Sequence, residues 1–351
     1  MDTMNMVILS SLPHRFLMVR QQQSRLLTPA IIHRLPTPIP LTGGPKVPGI
    51  EAQAAVLMDV NTEAVLYSKN ADTQLYPASI TKILTTLLAC ENLNAKTNIT
   101  VSEKASTSVT AGDSSIYAAP GEKFTRDQAL MAVMLQSANE MSVAVAEEVS
   151  GSVKKFAELM NWRAKLFGCK NTHFNNPNGL PDENHYTTAS DMAKIAKSAW
   201  LNPLFRRYCT KRYYEIPPTN KFAEARQLLN HHKMMKNGEY YYEGVRGGKT
   251  GYTDASGNTL VTYCKRGNIT LVAVILNSTS AANAYSDTAS LFNYGFENFE
   301  KVDMKVSMEP VPFKVLPCDK YILKNNGNTY PFYLSDKGLC DSSKRYQKIT
   351  A

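Results

Sequence analysis

Three short groups of polar residues in this 351-residue sequence could carry out chemistry together. In chain order they are Ser79-x-x-Lys82, Ser137-x-Asn139 and Lys249-Thr250-Gly251. A serine hydroxyl becomes a good nucleophile when a neighbouring base removes its proton, and an uncharged lysine can be that base. The order Ser-x-x-Lys, Ser-x-Asn, Lys-Thr-Gly is typical of serine enzymes that form an acyl-enzyme. The sequence therefore predicts covalent catalysis by Ser79, with Lys82 as the general base.

The third motif has a second interpretation, because Gly244 to Thr250 is one residue short of a phosphate-binding P-loop. A P-loop must run directly into a helix, whose N-terminal amides bind the phosphates. Here Gly251 and a turn-rich segment follow, and then two segments with the alternating pattern of strands. The sequence context thus disfavours nucleotide binding.

The first two motifs also recur elsewhere, as short patterns do by chance. Ser152-x-x-Lys155 repeats the first, but it begins an amphipathic helix after the second motif, where Lys155 is expected to face solvent. Ser68-x-Asn70 ends a predicted strand, and Ser256-x-Asn258 lies in the turn after the third motif. None of these three repeats has the context that the chemistry needs.

Ser79 and Lys82 differ from the repeats, because Ser79 opens a predicted helix that is apolar on all sides. A three-residue step places both side chains on one face, and such a helix offers Lys82 no polar face through which to reach water. A base must be uncharged, and both burial and a second cation, Lys249, lower the pKa of a lysine. We therefore expect Lys82 to be buried and neutral.

The surrounding elements indicate an α+β fold, an antiparallel sheet flanked by a helical cluster. Residues 54–69 form a predicted hairpin, and residues 258–277 form another around Gly267-Asn268. A helical block lies between them, with a capping box at Thr125 and a break at residues 136–139. We expect the first and last strands to be neighbours in one sheet.

Composition excludes several other functions. The net charge of +9 is spread along the chain, with +4 in residues 1–50, and there is no basic stripe interleaved with aromatic residues, so nucleic-acid binding is not expected. The six cysteines form no Cys-x-x-Cys pair, which argues against a zinc site. None of the six histidines lies in a catalytic or metal-binding motif. Cys318 and Cys340 could form a disulfide.

The sequence divides into three parts. Residues 1–49 are rich in proline and are expected to be a disordered leader or linker, without a clear signal peptide. Residues 50–300 would form the catalytic domain. Residues 301–351 contain one more strand-like run at 311–316 and would form a short, β-rich and truncated C-terminal segment. No apolar run is long enough for a membrane span, so no anchor is visible, although a longer form could associate with a membrane.

From Ala52 to Phe299 the sequence resembles the low-molecular-mass penicillin-binding proteins, the serine-type D-alanyl-D-alanine carboxypeptidases of the DacF and penicillin-binding protein 5 kind. The resemblance rests on the three motifs and on the segments YPASITK, PGEKFT, NPNGL, TTASDMA and GGKTGYTDASGN. It implies a β-lactamase/DD-peptidase-like fold. It also implies an enzyme that removes the terminal D-Ala from peptidoglycan pentapeptide stems and is acylated by penicillins.

The resemblance implies roles for the first two motifs. Ser79 would be acylated with release of D-Ala and then regenerated by water. Lys82 would be its base. Ser137 would relay protons between Lys82, Ser79 and the leaving amine, while Asn139 would hydrogen-bond the substrate amide.

Further roles are implied for the third motif. Lys249 and Thr250 would hold the terminal carboxylate of the substrate, and Gly251 would let the substrate lie against the strand. The backbone amides of Ser79 and Tyr252 would form the oxyanion hole. The resemblance implies no metal and no organic cofactor, and its partners are the stem peptide and β-lactam inhibitors. An extracytoplasmic location follows from the substrate.

Two alternatives remain open. A β-lactamase shares two of the motifs, but one such class has a Glu-x-x-Leu-Asn pattern after the second motif, and that pattern is missing here. A binding protein without turnover would keep the same residues. One departure bears on substrate recognition: relatives often have an arginine after the last strand, whereas residues 277–287 contain no basic residue.

Overall fold

The computed structural model of the protein describes residues 46–300 and three further strand segments, 319–325, 328–335 and 338–340. The strands are β1 Ala54–Asp59, β2 Val65–Lys69, β3 Asn98–Thr100, β4 Lys123–Thr125, β5 Tyr213–Ile216, β6 Arg226–Leu229, β7 Val245–Thr253, β8 Gly257–Arg266, β9 Ile269–Ser278, β10 Asp319–Asn325, β11 Asn328–Ser335 and β12 Gly338–Cys340. The helices are α1 Lys82–Asn92, α2 Glu103–Ser106, α3 Arg126–Leu135, α4 Asn139–Ser150, α5 Val153–Leu166, α6 Ala189–Leu201, α7 Pro203–Cys209 and α8 Ala281–Asn298.

The main sheet has five antiparallel strands in the order β2-β1-β9-β8-β7. The first and last strands of this sheet in chain order, β1 and β9, are neighbours, with Leu57 of β1 opposite Ala273 of β9. The tight turn at Gly267 joins β8 to β9, and Gly267 has a positive φ of 54°. The two predicted hairpins, and the predicted pairing of the first strand with the last, are therefore confirmed.

Both faces of this sheet are covered. On one face, Val56 and Val274 belong to a core shared with α1, α3, α4 and α6. On the other face, Leu57 and Ile275 pack in a second core with Phe292 of α8. Because neighbouring strand residues point to opposite faces, both strands have continuous runs that are apolar and buried, residues 54–58 in β1 and residues 271–276 in β9. The helical block thus lies on one side of the sheet and α8 on the other, and β7 forms an edge.

The segment before α1 differs from the helix that the sequence predicts. Ser79 lies in a 3₁₀ turn, Ala78–Thr81, and the α-helix begins only at Lys82. Ala78 has a positive φ of 50°, and the Thr259 side chain on β8 donates a hydrogen bond to the Pro77 carbonyl at 2.8 Å. The turn is therefore fixed by the sheet and does not simply extend the helix. A 3₁₀ turn still brings residues three apart onto one side.

The starts of α3, α4 and α5 agree with the signals in the sequence. Thr125 and Gln128 form the predicted capping box at the start of α3, and the chain breaks between α3 and α4 at Ser137, whose φ is +59°. The Ser152 hydroxyl accepts a hydrogen bond from the backbone N–H of Lys155 at 3.2 Å, so it caps α5. The repeat of the first motif at Ser152 thus has a structural explanation.

Two small sheets, β3-β4 and β5-β6, have no counterpart in the predicted elements. Their strands are three or four residues long, too short for a pattern of alternating burial to be seen in the sequence. A third small sheet has the order β10-β11-β12. Residues 1–45 of the predicted leader, the predicted strand at 311–316 and Cys318 lie outside the described residues. Within the described part of the chain no helix is both long and apolar enough to cross a membrane.

Candidate active site

The Lys82 amine lies at the meeting point of the first two motifs. Its Nζ atom is 2.8 Å from Ser79 Oγ, 2.7 Å from Asn139 Oδ1 and 2.6 Å from the backbone carbonyl oxygen of Asn178. The Lys82 side chain is completely buried. The structure thus brings together a nucleophile and a base that are three positions apart in the sequence, as well as two groups from distant parts of the chain.

These neighbours favour a particular arrangement of protons. The Asn139 oxygen and the Asn178 carbonyl can only accept hydrogen bonds, so they take up the two N–H groups of a neutral lysine amine. The remaining lone pair of Nζ is then free to accept the proton of the Ser79 hydroxyl. This is the geometry that a general base needs, because the distance to the donor is already within hydrogen-bond range.

Burial and charge both favour the neutral amine. Burial lowers the pKa of Lys82 well below its usual value, and the Lys249 cation lowers it further, while Glu140 and Asp113 act in the opposite direction. Burial also lowers the pKa of Lys249, to about 7. The expected burial of Lys82 is confirmed, and the centre contains two lysines that lose protons far more easily than lysines in water.

The second motif lines the same centre. Ser137 and Asn139 are buried and border the same cavity as Ser79. The Ser137 hydroxyl has no hydrogen-bond partner within the described residues, and its backbone is in the left-handed region. Such a conformation costs free energy in a residue with a side chain and is concentrated at functional sites. The Asn139 side-chain oxygen accepts a hydrogen bond from the Lys82 amine, and Asn139 is the first residue of α4.

The third motif forms the opposite wall. A cavity of about 360 Å³ runs between Ser79 and the exposed edge of β7, where it is bordered by Thr250, Gly251 and Tyr252. Tyr252 is 61% exposed. The Lys249 side chain is buried and does not border the cavity. Its amine donates a hydrogen bond to the Thr250 carbonyl at 2.8 Å.

Gly251 is needed for packing against the nucleophile turn. A Cβ at this position would lie 2.8 Å from the backbone nitrogen of Ser79 and would also collide with the Thr259 hydroxyl. Real Cβ atoms essentially never come so close, so a side chain here would push the Ser79 turn away from β7. The glycine therefore sets the separation between the Ser79 amide and the strand edge, in addition to bordering the cavity.

The loop at residues 174–186 contacts both Lys82 and the turn that contains Ser79. Asn178 provides the carbonyl that contacts Lys82, and a Cβ on Gly179 would collide with the Ala78 carbonyl. His185 accepts a hydrogen bond from the Asn175 N–H at Nδ1, so its Nε2 is the protonated nitrogen and donates to the Thr81 hydroxyl at 3.0 Å. None of these residues has a role that could be predicted from the sequence. Their signal was the NPNGL segment, whose proline and glycine indicate a shaped loop without showing which residues it contacts.

The comparisons with known proteins agree with this geometry. A family model described as D-alanyl-D-alanine carboxypeptidase, peptidase S11, matches residues 42–280. The chain is 37% identical over 253 residues to D-alanyl-D-alanine carboxypeptidase DacF of Bacillus subtilis, covering 71% of this chain and 63% of that one. It is 30% identical over 282 residues to DacA of Escherichia coli, covering 77% and 68%.

A solved structure shows the same similarity in three dimensions. The DD-transpeptidase of Streptomyces K15 superposes with a TM-score of 0.68 at 31% identity, covering 72% of this chain and 99% of that one. The chain spans about two thirds of the length of the DacF and DacA relatives. The sequence match, the fold and the three assembled motifs together place this chain in the peptidase S11 family of serine-type D-alanyl-D-alanine carboxypeptidases.

Proposed function

We propose that the protein is a serine D-Ala-D-Ala carboxypeptidase that forms an acyl-enzyme on Ser79. The observation that carries this proposal is the set of contacts around Lys82, which leaves the lone pair of a neutral amine next to the Ser79 hydroxyl. Lys82 takes the hydroxyl proton as Ser79 Oγ attacks the carbonyl of the penultimate D-Ala. Positioned proton transfer of this kind is worth about 10² to 10⁴ in rate.

The other motif residues complete the reaction. The N–H groups of Ser79 and Tyr252 hold the oxyanion, and Ser137 passes a proton to the leaving amine as the peptide bond breaks and free D-Ala departs. Thr250 binds the terminal carboxylate from the cavity wall, with Lys249 providing positive charge from behind the strand. Asn139 orients both Lys82 and the substrate amide. Water then hydrolyses the ester on Ser79, with Lys82 again as base.

The family and the substrate support the wider biological setting. We propose that the natural substrate is the pentapeptide stem of peptidoglycan, that penicillins acylate Ser79 by opening their lactam ring, and that the protein acts outside the cytoplasm during cell wall formation and shaping. These proposals rest on the D-alanyl-D-alanine carboxypeptidase activity for which the family and the DacF and DacA relatives are named. None of the proposed steps needs a metal or an organic cofactor.

The proposal is tested by incubating the protein with a muramyl pentapeptide and measuring free D-Ala. We expect D-Ala release by the wild type and none by Ser79→Ala. A protein that binds the peptide but releases no D-Ala would be a binding protein and would contradict the proposal. The half-life of the penicilloyl-enzyme separates the β-lactamase alternative, since a half-life of seconds or less favours a lactamase.

A further inference from the structure

The cavity next to Ser79 contains two oppositely charged side chains on different walls. Among the described residues that border it, Asp113 is the one carboxylate and Lys233 is the one lysine or arginine. The backbone N–H of Lys233 donates to the Tyr285 hydroxyl of α8 at 3.3 Å, whereas Asp113 belongs to the loop between α2 and β4. The two charges do not pair with each other, because Lys233 forms an ion pair with Glu239 at 2.7 Å.

The Asp113 loop is firmly attached to the catalytic centre. The carbonyl of Ser114 accepts a hydrogen bond from the backbone N–H of Asn139 at 2.8 Å. The buried Glu140 carboxylate accepts from the Ser115 hydroxyl at 2.8 Å and from the Ile116 N–H at 2.7 Å. Two neighbouring residues at the start of α4 therefore hold the loop. Asp113 is also close enough to the centre for its charge to act on Lys82.

Asp113 keeps part of its hydrogen-bonding capacity. Its Oδ2 atom accepts from the backbone N–H of Thr110 at 2.7 Å and from the Thr110 hydroxyl at 3.0 Å. These contacts fix the direction of the carboxylate. Within the described residues Oδ1 has no hydrogen-bond donor, and a carboxylate has about four acceptor positions in total. A donor from a bound molecule can therefore reach a carboxylate that is already oriented.

We propose that Asp113 selects stem peptides that carry a free ammonium group on the acyl side of the bond that is cleaved. The leaving D-Ala has a carboxylate, which a carboxylate at this position would repel, so Asp113 must face the part of the substrate that stays on Ser79. The chemical class is a peptide whose residue before D-Ala-D-Ala is a diamino acid with an uncapped side-chain amine. This inference rests on the proposed carboxypeptidase function and adds a specificity determinant to it.

The test uses two pentapeptides that differ only in acetylation of that side-chain amine, with kcat and KM for D-Ala release as the readout. Wild type should prefer the free amine by about fivefold in kcat/KM, mainly through KM, as expected for a partly exposed ion pair. Asp113→Asn should remove the preference, and Asp113→Lys should reverse it. Asp72→Asn, an exposed carboxylate that does not border the cavity, should keep the full preference.

Labelling by fluorescent penicillin, which has no such amine, checks that each variant is folded. A preference that persists in Asp113→Asn, or is absent in wild type while both peptides release D-Ala, overturns the inference and leaves the proposed function intact. If wild type releases D-Ala from neither peptide, the proposed function itself fails, and this inference fails with it.

Discussion

At the scale of single residues, the site depends on keeping one amine neutral. Lys82 and Ser79 could be predicted from their spacing, because a three-residue step brings them together in a 3₁₀ turn as well as in a helix. The Asn178 carbonyl could not, since every residue has a carbonyl and only the fold brings this one to Nζ, 96 positions along the chain. Sequence therefore identified the reacting pair but not the acceptors that orient it.

The charge on Lys249 should set the pH at which Lys82 becomes a base. Burial lowers the pKa of Lys82 first, and the Lys249 cation lowers it further. In Lys249→Gln that second contribution is lost, so the pKa of Lys82 rises and a smaller fraction is neutral at any given pH. We predict that the acidic limb of the penicillin acylation rate shifts to higher pH.

Stopped-flow acylation with a fluorescent penicillin, measured between pH 5 and 10, checks this. Lys265→Gln, which removes an exposed cation from β8, is the matched control and should leave the profile in place. A Lys249→Gln profile that is lower by the same factor at every pH would contradict the electrostatic role and indicate only a loss of carboxylate binding.

At the scale of elements, the sequence predicted strand pairing better than the nucleophile turn. The hairpins around residues 60–64 and 267–268 have strong local turn signals and alternating flanks, and both formed as expected. The 3₁₀ turn at Ser79 did not follow from local propensity, because it depends on contacts with β7 and β8 that are about 170 to 180 residues away. Such contacts override helix propensity.

The fit between β7 and the nucleophile turn should be sensitive to one methyl group. In Gly251→Ala the new Cβ would lie 2.8 Å from the Ser79 nitrogen, so the turn must move away from the strand. Because an error of about 1 Å in position can cost about 10²-fold in rate, we predict a loss of acylation of that order while the protein remains folded.

Acylation rate constants and thermal unfolding together measure this effect. Gly49→Ala is the control, since nothing lies within 4 Å of a Cβ at that position. Normal acylation by Gly251→Ala would show that the close approach has no part in catalysis.

At the scale of the whole molecule, residues near the two ends of the described region 46–300 are in contact with each other. The backbone N–H groups of Glu51 and Ala52 donate to the Asp287 carboxylate of α8 at 3.1 and 2.8 Å. These hydrogen bonds join the residues just before β1 to α8, the helix that follows the last strand of the main sheet.

We propose that residues 50–300 form one catalytic domain, with the flanking segments outside it. Limited proteolysis should leave a resistant fragment with these limits, and early cleavage inside it would contradict the boundaries.

Stability should fall in acid because two buried histidines resist protonation. Burial lowers the pKa of His185 to about 4 and that of His232 to about 3, from the usual 6.5. The unfolded chain then binds more protons than the folded one below pH 6.5, so the free energy of unfolding decreases as pH falls from 6.5 through 4. Protonated His185 would also have to give up the hydrogen bond that it accepts from Asn175.

Urea unfolding at pH 7, 5 and 4 gives the free energy of unfolding at each value. We expect a smaller decrease between pH 7 and 5 for His185→Gln, and an unchanged decrease for His173→Gln, whose ring is more exposed. A free energy of unfolding that is constant from pH 7 to 4 in the wild type would contradict this explanation.

The central claim is that Ser79 carries the acyl group, and peptide mapping by mass spectrometry of the penicillin-treated protein tests it most directly. Trypsin separates the candidates, because Ser79 lies in the peptide 70–82 and both Ser137 and Ser152 lie in the peptide 127–154. We predict that the penicilloyl mass is found on 70–82 at Ser79 and is lost in Ser79→Ala but kept in Ser152→Ala. An adduct on 127–154, or one that survives in Ser79→Ala, would contradict the account.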